Sequence, residues 1–329
     1  MNMLATRRDF LAKVGVLGAG AALASTLNRP ALAADDCPAW LATCRDSILK
    51  HLGQKDCWAT LEAVGAEGIE AQVSDDLALP GLFHPTMGYS AATAAGIEAV
   101  ARDAKSVGKR ITALCMFNRF DSRPDVEVEL CRKTADAAQA LGIPAIRIDV
   151  VPEKSSRDAF LKLAIDAIRK VMAATEATGV KFAIENHGTI TNDPEFLTAL
   201  FDGVGSNRLG LTLDTGNFYW FGHPLSKVYE AFEKFAPRVF HTHCKSIRYP
   251  ADQREKQRPM GWKYAEYGTS IDQGDLDFAK IVALLRKAGY HGDLCIEDEF
   301  LGKQTPPEAV ATLTKEIQLL KKVRAENKP

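Results

Sequence analysis

Four short segments each end an apolar, β-prone run at a side chain able to bind a cation. They are Lys181-Phe-Ala-Ile-Glu-Asn-His187, Gly210-Leu-Thr-Leu-Asp-Thr-Gly216, Val239-Phe-His-Thr-His-Cys-Lys245 and Asp293-Leu-Cys-Ile-Glu-Asp-Glu299. The intervals from Glu185 to Asp214 and from Asp214 to His243 are equal, and each fits one strand, one helix and two short loops. The interval from His243 to Glu297 is longer, so that unit carries an extra loop. Parallel strands repeating at such an interval become neighbours in a barrel, with their C-terminal ends converging on one mouth. Strands lie roughly 4.8 Å apart, so four neighbouring ends can surround an ion held at about 2.0–2.2 Å. Glu185, Asp214, His243 and Glu297 are therefore expected to hold one divalent metal ion.

Strand-like and helix-like segments alternate along the rest of the chain. A weak first strand is expected near Trp40–Thr43, followed by strands at Gly68–Val73, Arg110–Met116 and Ala145–Val151. The four ligand-bearing strands complete eight. Helices are expected near Trp58–Ala66, Ala91–Gly108, Val126–Leu141, Ser156–Ala177, Pro194–Phe201, Leu225–Phe235, Asp277–Ala288 and Pro307–Ala325. This alternation argues for a parallel sheet with helical crossovers. Eight strands favour an α/β fold of the closed (β/α)8 TIM-barrel type, as a single domain over residues 34–329. The G-x-G-x-x-G turn of a dinucleotide fold is missing after the first strand.

Residues 1–33 read as an export signal: a charged start, an apolar stretch from Val14 to Leu27, and an A-x-A-like exit at Ala31-Leu-Ala33. Arg7-Arg8 before Phe10-Leu11 resembles the twin-arginine type. The alternative is a membrane anchor, but the apolar stretch is shorter than the ~20 residues a spanning helix needs. The expectation is folded export to the periplasm or beyond, with the twin-arginine machinery as partner, cleavage after Ala33 or Ala34, and no stable anchor. The net charge of −1 becomes slightly more acidic without residues 1–33, giving no electrostatic reason to expect nucleic acid or anionic lipid. Of the 7 cysteines, Cys37, Cys44 and Cys57 cluster where one bridge could form, while Cys115 and Cys131 read as packing residues. An odd count without a C-x-x-C pair argues against a disulfide framework and against a structural zinc site.

Two glutamates, an aspartate and a histidine form a hard, oxygen-rich set suited to manganese, magnesium, cobalt or zinc. An ion there can grip a carbonyl oxygen and a neighbouring hydroxyl of a small carbohydrate, easing removal of the intervening proton by stabilising an enediolate. Glu185 and Glu297, on strands five and eight, would flank the substrate as proton donor and acceptor. His187 projects from the same strand face as Glu185 and could hold a substrate hydroxyl. His243 is preferred to His241 as ligand because it lies nearer the strand exit, leaving His241 as a packed core histidine. Asn186 and Asn217 could donate to substrate or cap a loop. Glu70, Arg147 and Asp149 could touch substrate or form salt bridges within the barrel. The insertion from Ser246 to Gly274, with Trp262 among its aromatic and basic residues, could be a lid or a solvated loop. His84, in the loop after strand two, has little reason to reach the site.

As a set, Glu185 in I-E-N-H-G, Asp214 in L-D-T-G-N, His243 in F-H-T-H-C-K-S and Glu297 in C-I-E-D-E resemble the xylose isomerase-like TIM-barrel family of sugar isomerases and epimerases. The resemblance runs from about residue 40 to 320 and includes the glycine-bearing turn from Tyr267 to Phe278. It implies that the four residues bind one divalent metal and that Glu185 and Glu297 also serve as acid and base. It also implies a keto-sugar or related polyol ketone as substrate. The family's usual H-x-K-D reads His243-Cys-Lys-Ser246 here, and Asn217 stands where many epimerases carry a second histidine; both bear on substrate and proton transfer. The family also includes lyases acting on 3-keto-glycosides, the second reading. A related barrel makes multi-metal apurinic endonucleases, which 7 histidines and the mild charge exclude. The non-enzyme reading is an exported sugar-binding protein with a structural metal. The oligomeric state is not legible.

Overall fold

Apolar runs covered on both faces form the strands, and one-sided amphipathic runs form the helices around them. The computed structural model describes residues 40–327. The expected export signal, residues 1–33, and Cys37 lie outside the described residues. The order is β1 (Ala42–Arg45), α1 (Cys57–Val64), β2 (Gly68–Gln72), β3 (Ala78–Phe83), β4 (Gly88–Ser90), α2 (Ala94–Ser106), β5 (Arg110–Cys115) and α3 (Pro124–Leu141). Next come β6 (Ala145–Ile148), α4 (Arg157–Ala174), β7 (Lys181–Glu185), α5 (Pro194–Val204), β8 (Leu209–Asp214), α6 (Asn217–Phe221), α7 (Leu225–Phe235) and β9 (Val239–His243). The chain continues through β10 (Ser246–Ile247), α8 (Tyr264–Tyr267), β11 (Gly268–Thr269), α9 (Phe278–Lys287), β12 (Leu294–Ile296) and α10 (Pro306–Glu326).

Eight parallel strands form one sheet in the order β12-β1-β2-β5-β6-β7-β8-β9. Its ends meet through a parallel bridge between Cys244 and Ile296, with Cys244 N–H donating to the Cys295 carbonyl at 2.6 Å and Glu297 N–H to the Cys244 carbonyl at 3.1 Å. The expected (β/α)8 barrel is the observed fold. The outward residues Ile146, Phe182, Ile184, Leu211 and Leu213 are completely buried beneath the helices, each worth about 1.5–3 kcal/mol of apolar burial. The inward residues are largely polar: Thr43, Glu70, Arg147, Thr212, His241 and Asp293 are all buried. A barrel interior is ordinarily filled by branched apolar side chains, so this one is given over to charge.

Helix ends follow local chemistry. Asp56 accepts the Ala59 N–H at 2.7 Å to start α1, and Thr305 with Glu308 forms a capping box for α10. Gly142 ends α3 at φ 70°, a backbone state that side chains with a Cβ resist. Two departures from expectation stand out. The stretch after β2, expected as loop, contains the antiparallel β3–β4 hairpin. The insertion after β9 is a folded unit: β10 pairs antiparallel with β11, and Arg258 donates to the Tyr219 and His223 carbonyls at 3.3 and 2.9 Å. The described cysteines, Cys44 and Cys57 included, are free and buried. Among the described residues, no helix is long and apolar enough to cross a membrane.

Candidate metal centre and active-site cavity

β7, β8 and β9 end at Glu185, Asp214 and His243, and Glu297 lies one residue beyond β12. Strand pairing places Asp214 opposite His243. One donor atom from each of the four lies within 4.8 Å of the others. His243 Nδ1 is 3.4 Å from Glu185 Oε1 and 3.3 Å from Glu297 Oε2.

The three carboxylates have fixed partners. Arg147 Nε donates to Glu185 Oε2 at 2.5 Å, and Asn217 Nδ2 donates to Oε1 at 3.1 Å. Asp214 Oδ1 accepts the N–H groups of Gly216 and Asn217 at 2.8 and 2.9 Å. Asn186 braces the backbone of Asp214, with its Oδ1 2.8 Å from the Asp214 N–H and its Nδ2 2.9 Å from the carbonyl. Glu297 Oε1 pairs with Arg45 Nη1, and Glu297 Oε2 lies 3.1 Å from Lys245 Nζ. The same ammonium is 2.9 Å from Asp214 Oδ2 and 2.8 Å from Glu299 Oε1.

Burial raises the cost of charge at every member. At Glu297 it is outweighed by Lys245, His243 and Arg45, which hold the carboxyl well below the usual range. At Glu185 burial is outweighed by Arg147 and His243, again lowering the carboxyl. Asp214 goes the other way: burial pushes it well above the ordinary carboxylate value, with Glu297 and Glu185 adding to the rise and Lys245 opposing it. His243 is raised because Glu70, Glu297 and Glu185 outweigh its burial.

These residues fit a divalent cation. His243 Nδ1 is buried without a hydrogen bond, while Asp214 Oδ2 is paired with the Lys245 ammonium. Buried polar atoms ordinarily have partners. Three oxygens and one nitrogen suit manganese, magnesium, cobalt or zinc. Glu70 Oε2 sits 2.8 Å from His243 Nε2, the outer carboxylate that commonly orients a metal-binding imidazole.

Above the four lies a cavity of about 360 Å³ bordered by Glu185, Glu297, His187, Arg45, Arg147, Lys245 and Phe117. Phe117 is 44% exposed, and the guanidinium carbons of Arg147 and Arg45 lie 5.0 and 5.8 Å from the centre of its ring. His187 faces the cavity with Nδ1 3.1 Å from Asp149 Oδ1; that hydrogen bond raises its imidazole above the ordinary value.

Three residues expected to touch substrate do not line this cavity. Glu70 has no exposed surface and sits between His243, His241 and Arg45. Asn217 is buried and serves Glu185. Trp262 stacks on Tyr267 at 5.6 Å within the folded insertion and is not among the residues that line the cavity. The insertion meets the rim where the Tyr264 hydroxyl donates to Glu299 Oε2 at 3.0 Å. His84 bonds to Thr86 and borders a separate groove with Trp58 and Tyr89. His241 lies in the lower layer, 2.7 Å from Asp293 Oδ1. Sequence reasoning missed Arg45, Lys245 and Phe117. Lys245 follows His243 by two residues, the same offset that singled out His187 after Glu185.

The chain belongs to the xylose isomerase-like TIM barrel family, whose pattern matches residues 58–323. Among curated proteins it is similar to the inosose dehydratase of Clostridium perfringens, 27% identical over 143 residues, or 42% of this chain and 47% of that protein. The chain thus spans about half the length of the curated relatives it matches. Among solved structures it is similar to an IolI protein with a bound zinc atom, at a TM-score of 0.61 and 19% identity over 87% of this chain and 96% of that one. It also resembles the mannonate dehydratase of Streptococcus suis serotype 2, at a TM-score of 0.62 and 16% identity over 88% and 95%. At these identities the structural likeness speaks for the fold alone.

Proposed function

We propose that the protein is a divalent-metal-dependent sugar isomerase or epimerase that moves a proton beside the carbonyl of a keto-sugar or polyol ketone. One observation carries this reading. Glu185 and Glu297 border one cavity from the strands that flank β8 and β9, each with one oxygen turned toward His243 and the other on a guanidinium. Glu185, Asp214, His243 and Glu297 would hold the ion, which when bound supplies Lewis-acid polarisation of the carbonyl. Arg147 and His243 hold Glu185 ionised, and Lys245, His243 and Arg45 hold Glu297 ionised, the state a base requires. One glutamate takes the proton and the other returns it, so the face of return decides the product. Phe117 offers an apolar platform for the sugar ring, and His187, oriented by Asp149, a partner for a hydroxyl.

The second reading is a lyase, favoured by the dehydratase name of the matched relative from Clostridium perfringens. It shares proton removal beside a carbonyl, then expels a β-hydroxyl or a glycosidic oxygen. Incubating the metal-loaded protein with keto-sugars, keto-cyclitols and 3-keto-glycosides in deuterated water, followed by NMR, separates the two. Deuterium uptake with an intact skeleton supports isomerase or epimerase; loss of water or aglycone supports lyase. Binding without exchange or cleavage across the panel would instead mark a sugar-binding protein. We also propose folded export through the twin-arginine route, resting on residues 1–33. An uncleaved N-terminus in periplasmic extract, seen by mass spectrometry, would refute the cleavage.

A further inference from the structure

Directly beneath the four candidate ligands the barrel holds a second convergent set. Glu70 on β2, His241 on β9 and Cys295 on β12 each offer one donor atom within 4.8 Å of the others. None of the three is more than 1% exposed. Glu70 Oε1 and His241 Nε2 are buried without a hydrogen bond, although they stand 3.4 Å apart. Their mutual contact is a long imidazole–carboxylate pairing without hydrogen-bond geometry, and an ion seated between them would satisfy both atoms in the sealed interior. With bonds of 2.0–2.2 Å, a tetrahedral zinc ion separates a nitrogen and an oxygen ligand by about 3.4 Å.

The far sides of the set are braced. Asp293 Oδ1 holds His241 Nδ1 at 2.7 Å, leaving Nε2 to face the centre. Asp293 Oδ2 is fixed in turn by the Thr43 and Thr112 hydroxyls at 2.7 and 2.6 Å. Glu70 Oε2 is taken up by His243 Nε2 at 2.8 Å and Arg45 Nε at 3.1 Å, leaving Oε1 to face the same centre. A carboxylate behind a histidine, with its own hydroxyl donors, is the arrangement that orients imidazole ligands.

We propose that Glu70, His241 and Cys295 bind a second ion of the zinc class in the layer below the upper group, with Glu70 joining the two sites. A dication there is matched in charge by the Glu70 carboxylate and a Cys295 thiolate. The sulfur donor selects zinc or cobalt over magnesium and manganese, so the two layers differ in preference. Because the set is closed to solvent, the ion enters while the barrel forms. Once seated it draws on the Glu70 carboxylate, so lower-site occupancy tunes how strongly Glu70 holds His243.

The test is to produce the full chain in zinc-depleted medium supplemented with cobalt(II). The proposal expects about two ions per chain and an intense near-ultraviolet sulfur-to-cobalt charge-transfer band, which the sulfur-free upper set cannot give. Cys295→Ser and Cys295→Ala should lose the band and fall to about one ion, while Cys115→Ser should keep it. Should neither Cys295 variant fold, X-ray absorption on the zinc-loaded natural chain decides: a sulfur shell at about 2.3 Å supports the site, and a shell of oxygen and nitrogen alone overturns it. Cobalt protein without a sulfur band, or a band that survives in the Cys295 variants, likewise overturns the proposal. None of these readouts depends on the sugar chemistry.

Discussion

Glu70 Oε2 lies 2.8 Å from His243 Nε2, with neither residue exposed. The imidazole that faces the ligand cluster on one side is thus gripped by a buried carboxylate on the other. Removing such an outer carboxylate typically weakens metal affinity about 10–100-fold. Glu70→Gln keeps the shape and loses the charge, so manganese binding, which the oxygen-rich upper group suits, should weaken by that factor. A competition titration against a chelator measures it, and unchanged affinity would detach Glu70 from the metal site.

The two histidines of β9 should behave differently. His243 joins Glu185, Asp214 and Glu297, whereas His241 joins Glu70 and Cys295. His243→Ala should abolish tight manganese binding, and His241→Ala should largely retain it. Electron paramagnetic resonance of added manganese counts the bound ion in each. The reverse pattern would mean that the upper set is built on the wrong histidine.

Glu185→Gln and Glu297→Gln should each lose about 10²–10⁴-fold in deuterium exchange into the substrate when metal content is restored to that of the natural chain. Metal loss would mimic the effect, so occupancy is measured beside rate. Near-normal exchange by a fully loaded Glu297→Gln protein would end the two-glutamate mechanism.

Arg147 is 1% exposed and pairs with both Glu185 and Asp149. Arg147→Met removes the cation that both buried carboxylates share. Breaking a buried pair from one side costs about 3–5 kcal/mol, and a denaturant titration of the metal-free protein should show a loss of that size. A variant as stable as the natural chain would show that Arg147 is not the counter-charge.

Asp46 supplies a pH dependence outside the ligand cluster. It is buried, accepts the Gln72 N–H at 2.8 Å, and burial pushes its carboxyl from 3.8 up to about 6. A carboxyl raised on folding favours the protonated native state. Its contribution is therefore full below about pH 4 and is lost as pH rises through about 6, on the order of 3 kcal/mol at 1.36 kcal/mol per unit. Asp46→Asn should flatten stability across that window, as urea titrations at successive pH values would show. An unchanged slope would place the titration elsewhere.

The ligand-bearing strands were legible because each apolar run stops at the residue that matters. The barrel was legible because such runs alternate with helical ones. How the interior faces meet was not legible. Glu70 and Glu297 both sit on interior faces in the row of Arg45, and only the contacts, Glu70 on His243 Nε2 and Glu297 on Nδ1, show that they meet opposite sides of the imidazole. The β3–β4 hairpin was missed because Leu79-Pro-Gly81 interrupts any strand periodicity. Arg45 was missed because a short, weakly patterned first strand gives no face to assign. Trp262 was placed at the mouth on composition, whereas its nearest partners, Tyr249 and Tyr267, belong to its own insertion.

The bridge between Cys244 and Ile296 is where the seventh and eighth barrel strands, the two ends of the sheet, are sewn together. His243 precedes one side of that seam and Glu297 follows the other. An ion shared by these two residues would act as a rivet, turning occupancy into a mechanical property of the shell. At a hundred times its dissociation constant, such an ion adds about 2.7 kcal/mol to the closed state. All of it is surrendered once the seam parts, so chelation should loosen the amides of Cys244 and Glu297 first, before the outer helices exchange.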